Sequence, residues 1–299
     1  MKFMKGVVVS GKKMRTDLPT QIYRKGNVSM KFVPGQFVAD DMIKKFNINP
    51  KFFLHPDSLR VRGSFDFAHE KKGKFSVGII RDMNGRGDVL MASVIAKALK
   101  YKYGEDVQVW FVVQKGYSRI LENNPYVDRV YTDREKMLKA VPDIKIDVNN
   151  LEFRVEVKDF ERDGKVIRNR ASIYLEQMGL FLENKTPTYV VTKEEREWAE
   201  QWLKDDRNYD PEKPTVGIQL WGSNVSRSYP YMMDLIEILN CEEYNVILLD
   251  WKDKDDKYMF DMGQLGAIVE QCDIVVSPNS YIYHLAGALK KRAVMICGS

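Results

Sequence analysis

NSYIYHLAGALKKRAVMICGS, Asn279 to Ser299, reads as a polar loop, a helix of small residues and an apolar strand in succession. The helix is expected to open near Ser280 and carries His284, Ala286, Gly287 and Ala288. Small side chains let such a helix lie close to a sheet. The free N–H groups of its first turn suit an anion, such as a diphosphate, held in the loop. A second stretch, NGRGDVLMASVIAKAL, Asn84 to Leu99, repeats the strand–loop–helix layout much earlier in the chain. Two such units predict two nucleotide-fold domains facing one cleft.

Length and composition agree with two domains. The chain has 299 residues, 44% hydrophobic and 30% charged, which fits a globular protein with real cores and excludes a disordered one. No apolar run approaches the roughly 20 residues of a membrane helix, and the start, MKFMKGVVVSGKK, is too short in apolar residues for a signal peptide. Three cysteines, Cys241, Cys272 and Cys297, are odd in number and far apart, which predicts reduced core thiols in a cytoplasmic protein. Three scattered histidines, His55, His69 and His284, argue against a structural zinc site. The net charge of +5 is uneven: residues 1–75 hold 16 Lys and Arg against 6 Asp and Glu, while the rest holds 31 against 36. The basic excess therefore belongs to the first quarter of the chain.

Residues 1–74 read as a separate basic module of short strands, with one helix near Ala39 to Phe46 and a linker at His69 to Lys74. From Phe75 strands and helices alternate, which predicts a parallel sheet covered by helices. The expected order is strand Ser76–Ile80, helix Val89–Tyr103, strand Val107–Val113, short helix Tyr117–Asn123, and strands Asp128–Tyr131 and Asp143–Val148. Phe153 to Val157 alternates, as an edge strand or a loop over the cleft would, and helix Ala171–Met178 follows. Helix Lys193–Leu203 precedes a polar, turn-rich linker, Asp205 to Pro214. A second series then runs through strand Thr215–Leu220, helix Tyr231–Leu239, strand Asn245–Leu249, helix Gln264–Gln271, strand Ile274–Val276, helix Tyr281–Lys290 and strand Ala293–Ile296. The expected domains are 1–74, 75–204 and 205–299.

Three blocks in this order resemble the family-nine glycosyltransferases, the group of lipopolysaccharide heptosyltransferases. The first is GDVLMASVIAKAL followed by VWFVVQKGYSRILENNPYVDRVY; the second is TVGIQLWGSNVSRSYPYMMDLIEIL; the third is IVEQCDIVVSPNSYIYHLAGALKKRAVMICGS. They span about Ser76 to Ser299 and leave the first 74 residues uncovered. The resemblance implies a GT-B architecture, an α/β fold of two Rossmann-like domains with acceptor on the first and nucleotide-sugar donor on the second. It also implies inverting transfer with no obligatory metal and no cofactor beyond the nucleotide-sugar substrate. The chain departs from the family pattern at Asn279, where the family has Asp, and at Tyr281, where it has Gly. Family members also continue past the Gly-Ser strand end, so the chain reads as short or cut at Ser299.

Inverting transfer needs a base for the acceptor hydroxyl and a counter-charge for the departing diphosphate. Asp88 has two readings: an N-cap for the following helix, from spacing alone, or the general base, which the resemblance implies. Arg86 and Gly87 beside it are candidates for acceptor or phosphate contact. Gly222, Ser223 and Arg227 lie in the loop after the Thr215 strand. There Arg227 would grip phosphate bidentately or sit solvated on the surface, and Ser223 with Asn224 would donate hydrogen bonds or make the turn. His284 alone reads as a satisfied histidine. With the resemblance, it contacts donor phosphate or sugar beside Asn279 and Ser280. Asn donates as well as accepts, so Asn279 points to a different donor sugar.

The function expected is an inverting glycosyltransferase acting on a surface glycan or on a polyanion such as modified nucleic acid, which the basic N-terminal module would hold. The rival is a degenerate transferase fold that binds without catalysis, motivated by Asn279, Tyr281 and the early end. A nucleotide-sugar epimerase would need a GxGxxG loop, and RDMNGRGD does not supply one.

Overall fold

The structure is a computed structural model, and it describes residues 11–13, 21–25, 28–32, 37–39, 73–83, 85–152, 155–156, 169–206, 208–222, 228–241, 244–250 and 260–296. The chain divides into two compact units, Met1–Asp66 with Arg154–Ile167, and Phe67–Phe153 with Arg168–Ser299. In the first, the described strands are β1 (Gly11–Lys13), β2 (Gln21–Lys25), β3 (Val28–Phe32) and β4 (Phe37–Ala39). β1 pairs antiparallel with β4, and β2 with β3. The helix expected near Ala39 to Phe46 and the linker at residues 69–72 lie outside the described residues; Ala39 itself ends β4.

The second unit is α/β and carries two four-stranded parallel sheets. In one, β5 (Phe75–Arg81), β6 (Val107–Val113), β7 (Arg129–Tyr131) and β8 (Ile144–Asp147) lie in the order β7-β6-β5-β8. In the other, β9 (Thr215–Ile218), β10 (Asn245–Leu248), β11 (Ile274–Pro278) and β12 (Arg292–Ile296) lie in the order β10-β9-β11-β12. Each order reverses beside its first strand, at β5/β8 and at β9/β11. At such a switch point the loops leaving neighbouring strands diverge and open a crevice. Every residue of β5 is buried, and so is all of β6 except Gln108, as expected of strands covered on both faces. Phe111, fully buried at the centre of β6, would cost about 3–5 kcal/mol on truncation to Ala.

The expected helix over Val89 to Tyr103 starts earlier and breaks in the middle. It is α1 (Arg86–Ala92) followed by α2 (Val94–Tyr103). At the junction the buried Ser93 hydroxyl donates to the Leu90 carbonyl at 2.6 Å, a side-chain bond that competes with the helical ladder. Asp88 is not the N-cap. Gly85 holds that position, and Asp88 sits at the third helical residue, its Oδ2 accepting the Gly85 N–H at 3.1 Å.

The segment over Phe153 to Val157 is not a strand where it is described. Leu151, Glu152, Val155 and Glu156 are helical. Tyr117 to Asn123 contains only a 3-10 turn at Ser118–Ile120. A further helix, α3 (Arg134–Lys139), opens on Asp133, whose carboxylate accepts the N–H groups of Glu135 and Lys136. The remaining helices are α4 (Arg170–Gln177), α5 (Lys193–Asp205), α6 (Met232–Cys241), α7 (Met262–Gln271) and α8 (Tyr281–Ala288).

α5 packs against α7 of the second sheet. Phe260 lies edge-on to Trp198 and Trp202 of α5, and Arg196 pairs with Glu270. The polar run from Asp205 to Pro214 is fastened down, because the Asn245 amide donates to the carbonyls of Asp210 and Lys213 at 2.8 and 2.9 Å.

The two sheets are joined at the start of α5. Thr192 and Glu195 form a reciprocal capping box, and Glu195 also takes the Arg119 guanidinium, with Nε donating at 2.6 Å. Burial alone would raise the Glu195 carboxyl, but the Arg119 hydrogen bond and the Thr192 N–H hold it below its ordinary value. At the same junction the Arg119 guanidinium lies 5.2 Å from the centre of the Tyr189 ring, and the Tyr189 hydroxyl donates to the Met262 carbonyl at 2.6 Å. Cys272 is a buried free thiol that burial pushes up to about 12, as expected of an inert core residue. The Cys241 side chain and Cys297 lie outside the described residues.

Candidate functional site

The loops leaving β5, β9, β10 and β11 converge on a cavity of about 1240 Å³. From the β5 side it is lined by Gly85, Arg86, Gly87 and Asp88, together with Tyr117 and Arg170. From the β9 side come Gln219, Trp221 and Gly222, and from the ends of β10 and β11 come Asp250, Asn279 and Ser280. Phe260, Met262 and Leu265 give it an apolar wall. The structure thus brings together Arg86, Gly87, Asp88, Gly222, Asn279, Ser280 and His284 of the sequence reading. Ser223 and Arg227 lie outside the described residues.

Asp88 is held from several directions. Its Oδ1 receives Arg170 Nη1 at 2.5 Å, and Arg81 Nη2 stands 3.5 Å from its Oδ2. Arg170, at the first position of α4, is part-exposed in the cavity. Arg81 ends β5 and is fully buried. It reaches the Glu152 carboxylate at 2.7 Å and the Val148 carbonyl at 3.3 Å. Tyr174 of α4 donates to the other Glu152 oxygen at 2.8 Å. Asp88 therefore sits at the open end of a buried polar chain running from Tyr174 through Glu152 to Arg81.

On the facing wall, Ser280 caps α8, its hydroxyl accepting the Ile282 N–H at 3.3 Å and donating to Gln219 Oε1. Ser277 also donates to that Gln219 oxygen at 2.7 Å, and the Gln219 amide reaches the Trp221 carbonyl at 2.8 Å. This network ties the ends of β9 and β11 together and sets the first turn of α8 against the cavity. Asp250, at the end of β10, accepts the N–H groups of Leu220 and Trp221, each at 2.8 Å. Burial raises its carboxyl, against the pull of those two bonds.

His284 packs beside Arg170 and Asp88 where α8 meets α1. Burial first, and the Arg170 charge second, push its imidazole below the ordinary value, with Asp88 opposing. A neutral ring at that point can donate one hydrogen bond and accept another. The Tyr281 hydroxyl is buried, and burial raises it well above its ordinary value, so it remains protonated.

Sequence reasoning missed Arg81, Glu152, Arg170, Gln219 and Asp250. A signal existed for two of them: an arginine closing the apolar run FSVGIIR, and an aspartate closing NVILLD, both at strand ends where a parallel sheet places its ligand crevice. Glu152 falls between the expected strand Asp143–Val148 and the alternating segment Phe153 to Val157, and Arg170 carries no local pattern. Among the described residues, no group of three or more His, Cys, Asp or Glu side chains could hold a metal ion.

No family model matches the chain, and no curated protein matches it in sequence. Solved structures do match. The chain superposes on a glycosyl transferase of family 9 from Veillonella parvula DSM 2008 with a TM-score of 0.59 and 15% identity, over 77% of this chain and 83% of that one. The ADP-heptose lipopolysaccharide heptosyltransferase II of E. coli gives 0.54 and 14%, over 74% and 84%. The iron-containing dodecameric glycosyltransferase TibC from enterotoxigenic E. coli H10407 gives 0.53 and 12%, over 77% of this chain and 59% of that one. At these identities the likeness is one of fold, and the fold is that of the family-nine glycosyltransferases and heptosyltransferases that the three sequence blocks resemble.

Proposed function

We propose that the chain is an inverting glycosyltransferase of GT-B type, in which the two sheets belong to an acceptor domain and a donor domain. Asp88 takes the proton of an acceptor hydroxyl as that oxygen attacks the anomeric carbon, and the nucleoside diphosphate departs. The observation that carries this reading is the placement of Asp88. Its carboxylate opens on a cavity whose opposite wall is the first turn of α8, so a base and an anion-favouring helix end face one space.

The donor binds on the second sheet. Its diphosphate lies near Ser280 and His284, and its nucleoside lies against Phe260, Met262 and Leu265. The ADP-heptose bound in a TibC structure is a donor of this class. Leaving-group charge is met by cations and N–H dipoles without a metal. Chelator should therefore leave transfer unchanged; loss on chelation and recovery with magnesium, manganese or iron would reject that part. The acceptor is an anionic surface glycan or nucleic acid, held by the basic residues of 1–74. Counterion release predicts that acceptor binding to a nucleic acid would fall log-linearly with salt.

The test of the whole reading is turnover of Asp88→Asn against a panel of nucleotide-sugars. Removal of a general base should lower turnover by roughly 10²–10⁴ while the fold persists. Near-wild-type turnover would reject it.

A further inference from the structure

The buried chain behind Asp88 has an arrangement that simple support of a loop does not require. One nitrogen, Arg81 Nη2, serves two carboxylates unequally: Glu152 Oε1 at 2.7 Å and Asp88 Oδ2 at 3.5 Å. Arg81 is fully buried and the Glu152 side chain is 3% exposed, so neither charge is relieved by solvent. In such a place a close ion pair is strong and each charge depends on its partner. A cation that spends its shorter bond on Glu152 has less left for Asp88.

We infer that Glu152 is a positioning residue that acts on Asp88 through Arg81, drawing the guanidinium to itself and holding it back from the Asp88 carboxylate. Without Glu152, the buried Arg81 cation would have Asp88 as its nearest carboxylate. With Glu152 the pair is near neutral, and its remaining influence on Asp88 is steric and directional. Tyr174 adjusts the balance, because its hydroxyl draws on the second Glu152 oxygen at 2.8 Å. The inference rests on the reading of Asp88 as the base.

The other groups near Asp88 are accounted for. Arg170 of α4 binds its Oδ1, His284 of α8 stands beside it, and Arg86 belongs to its own helix. Arg119 of the adjoining 3-10 turn is bound to Glu195. On α2, Lys97 donates to the carbonyls of Asn184 and Thr186, and Lys100 to the Val107 carbonyl and Asp128. Glu152 is thus the acidic group placed to offset the buried cation.

The test is a carboxyl ¹³C NMR titration of the full chain labelled at aspartate, with the Asp88 signal assigned by its loss in Asp88→Asn. It needs no substrate. Glu152→Gln keeps the shape and removes the charge, so the Asp88 midpoint should fall by about one pH unit, a tenfold change in proton affinity. Tyr174→Phe, which leaves both charges in place, should move it the other way, since Glu152 then holds Arg81 more fully. A midpoint unmoved in both variants, or a rise in Glu152→Gln, overturns the inference. If Glu152→Gln fails to fold, the direction in Tyr174→Phe decides alone.

Turnover separates the two claims. Wild-type activity in Asp88→Asn would remove the base while the titration result stood. A dead Asp88→Asn with an unmoved midpoint would remove the role of Glu152 only. Where both hold, the acid limb of the Glu152→Gln pH–rate profile moves to lower pH and its plateau drops about threefold, with donor KM unchanged.

Discussion

Gly87 lies directly against the imidazole of His284. A Cβ built on Gly87 would stand 2.9 Å from His284 Cδ2 and 3.6 Å from the Tyr281 Cα. The helix that carries Asp88 and the helix that opens on Ser280 therefore touch through a missing side chain, and their close approach depends on a glycine.

Gly87→Ala puts two effects in opposition. Alanine in a helix favours folding by roughly 0.5–1 kcal/mol over glycine. Overpacking a closed contact costs about 1–3 kcal/mol. The clash should win, because the neighbour is a half-buried ring at the helix contact. Chemical denaturation is expected to show a net loss of about 1 kcal/mol, and titration of a nucleoside diphosphate a several-fold weaker affinity. Gly87→Ala combined with His284→Ala should recover the stability loss of the single glycine change, and additive losses would show that the two residues do not press on each other.

His284 gives the stability a dependence on pH. Its imidazole is pushed down in the folded chain, so the unfolded chain takes the proton first, near its ordinary value of roughly 6.5. The contribution is fully present above that value and is lost as pH falls from there through the lower folded value. Urea denaturation at steps from pH 7.5 to 5 should show this decline, and His284→Gln should flatten it. An identical slope in the variant would place the titration elsewhere.

The Arg119–Glu195 pair holds the junction of the two sheets, and both side chains are mostly buried, at 16% and 19% exposed. Arg119→Met removes the cation and leaves Glu195 with its capping bonds but no counter-charge. The expected loss is about 2–3 kcal/mol, read by denaturation. Glu195→Gln in the Arg119→Met background should return part of it. A loss below about 0.5 kcal/mol for Arg119→Met would mean that the pair behaves as a surface ion pair.

The parts of this fold legible in the sequence are those where a local pattern suffices. The buried run Val107 to Val113 became β6, and the helical run Lys193 to Leu203 became α5. The loops at Gly87-Asp88 and Asn279-Ser280 were visible as strand–loop–helix turns and do meet across one cavity. What escaped depends on residues distant in sequence. Ser93 breaks a helix through a hydroxyl bond to the preceding turn, in a segment whose periodicity runs straight through it. Glu152 stands just before the alternating run Phe153 to Val157 with no pattern of its own, and its place is decided by Arg81 and Tyr174. Arg170 is one of several arginines in RNRAS and its neighbours, and only the fold selects it to face Asp88.

Both oxygens of Asp88 are engaged: Oδ1 by Arg170, Oδ2 by the Gly85 N–H with Arg81 close by. The Arg170 guanidinium takes one lone pair of Oδ1 and competes for that oxygen with any stray water. On the proposed reading, the bound donor is thereby protected from wasteful hydrolysis until an incoming acceptor draws the part-exposed Arg170 aside. Arg170→Ala would break that safeguard. Release of nucleoside diphosphate from donor alone should rise several-fold in this variant, and a rate equal to the wild type's would show that water is kept out by some other means.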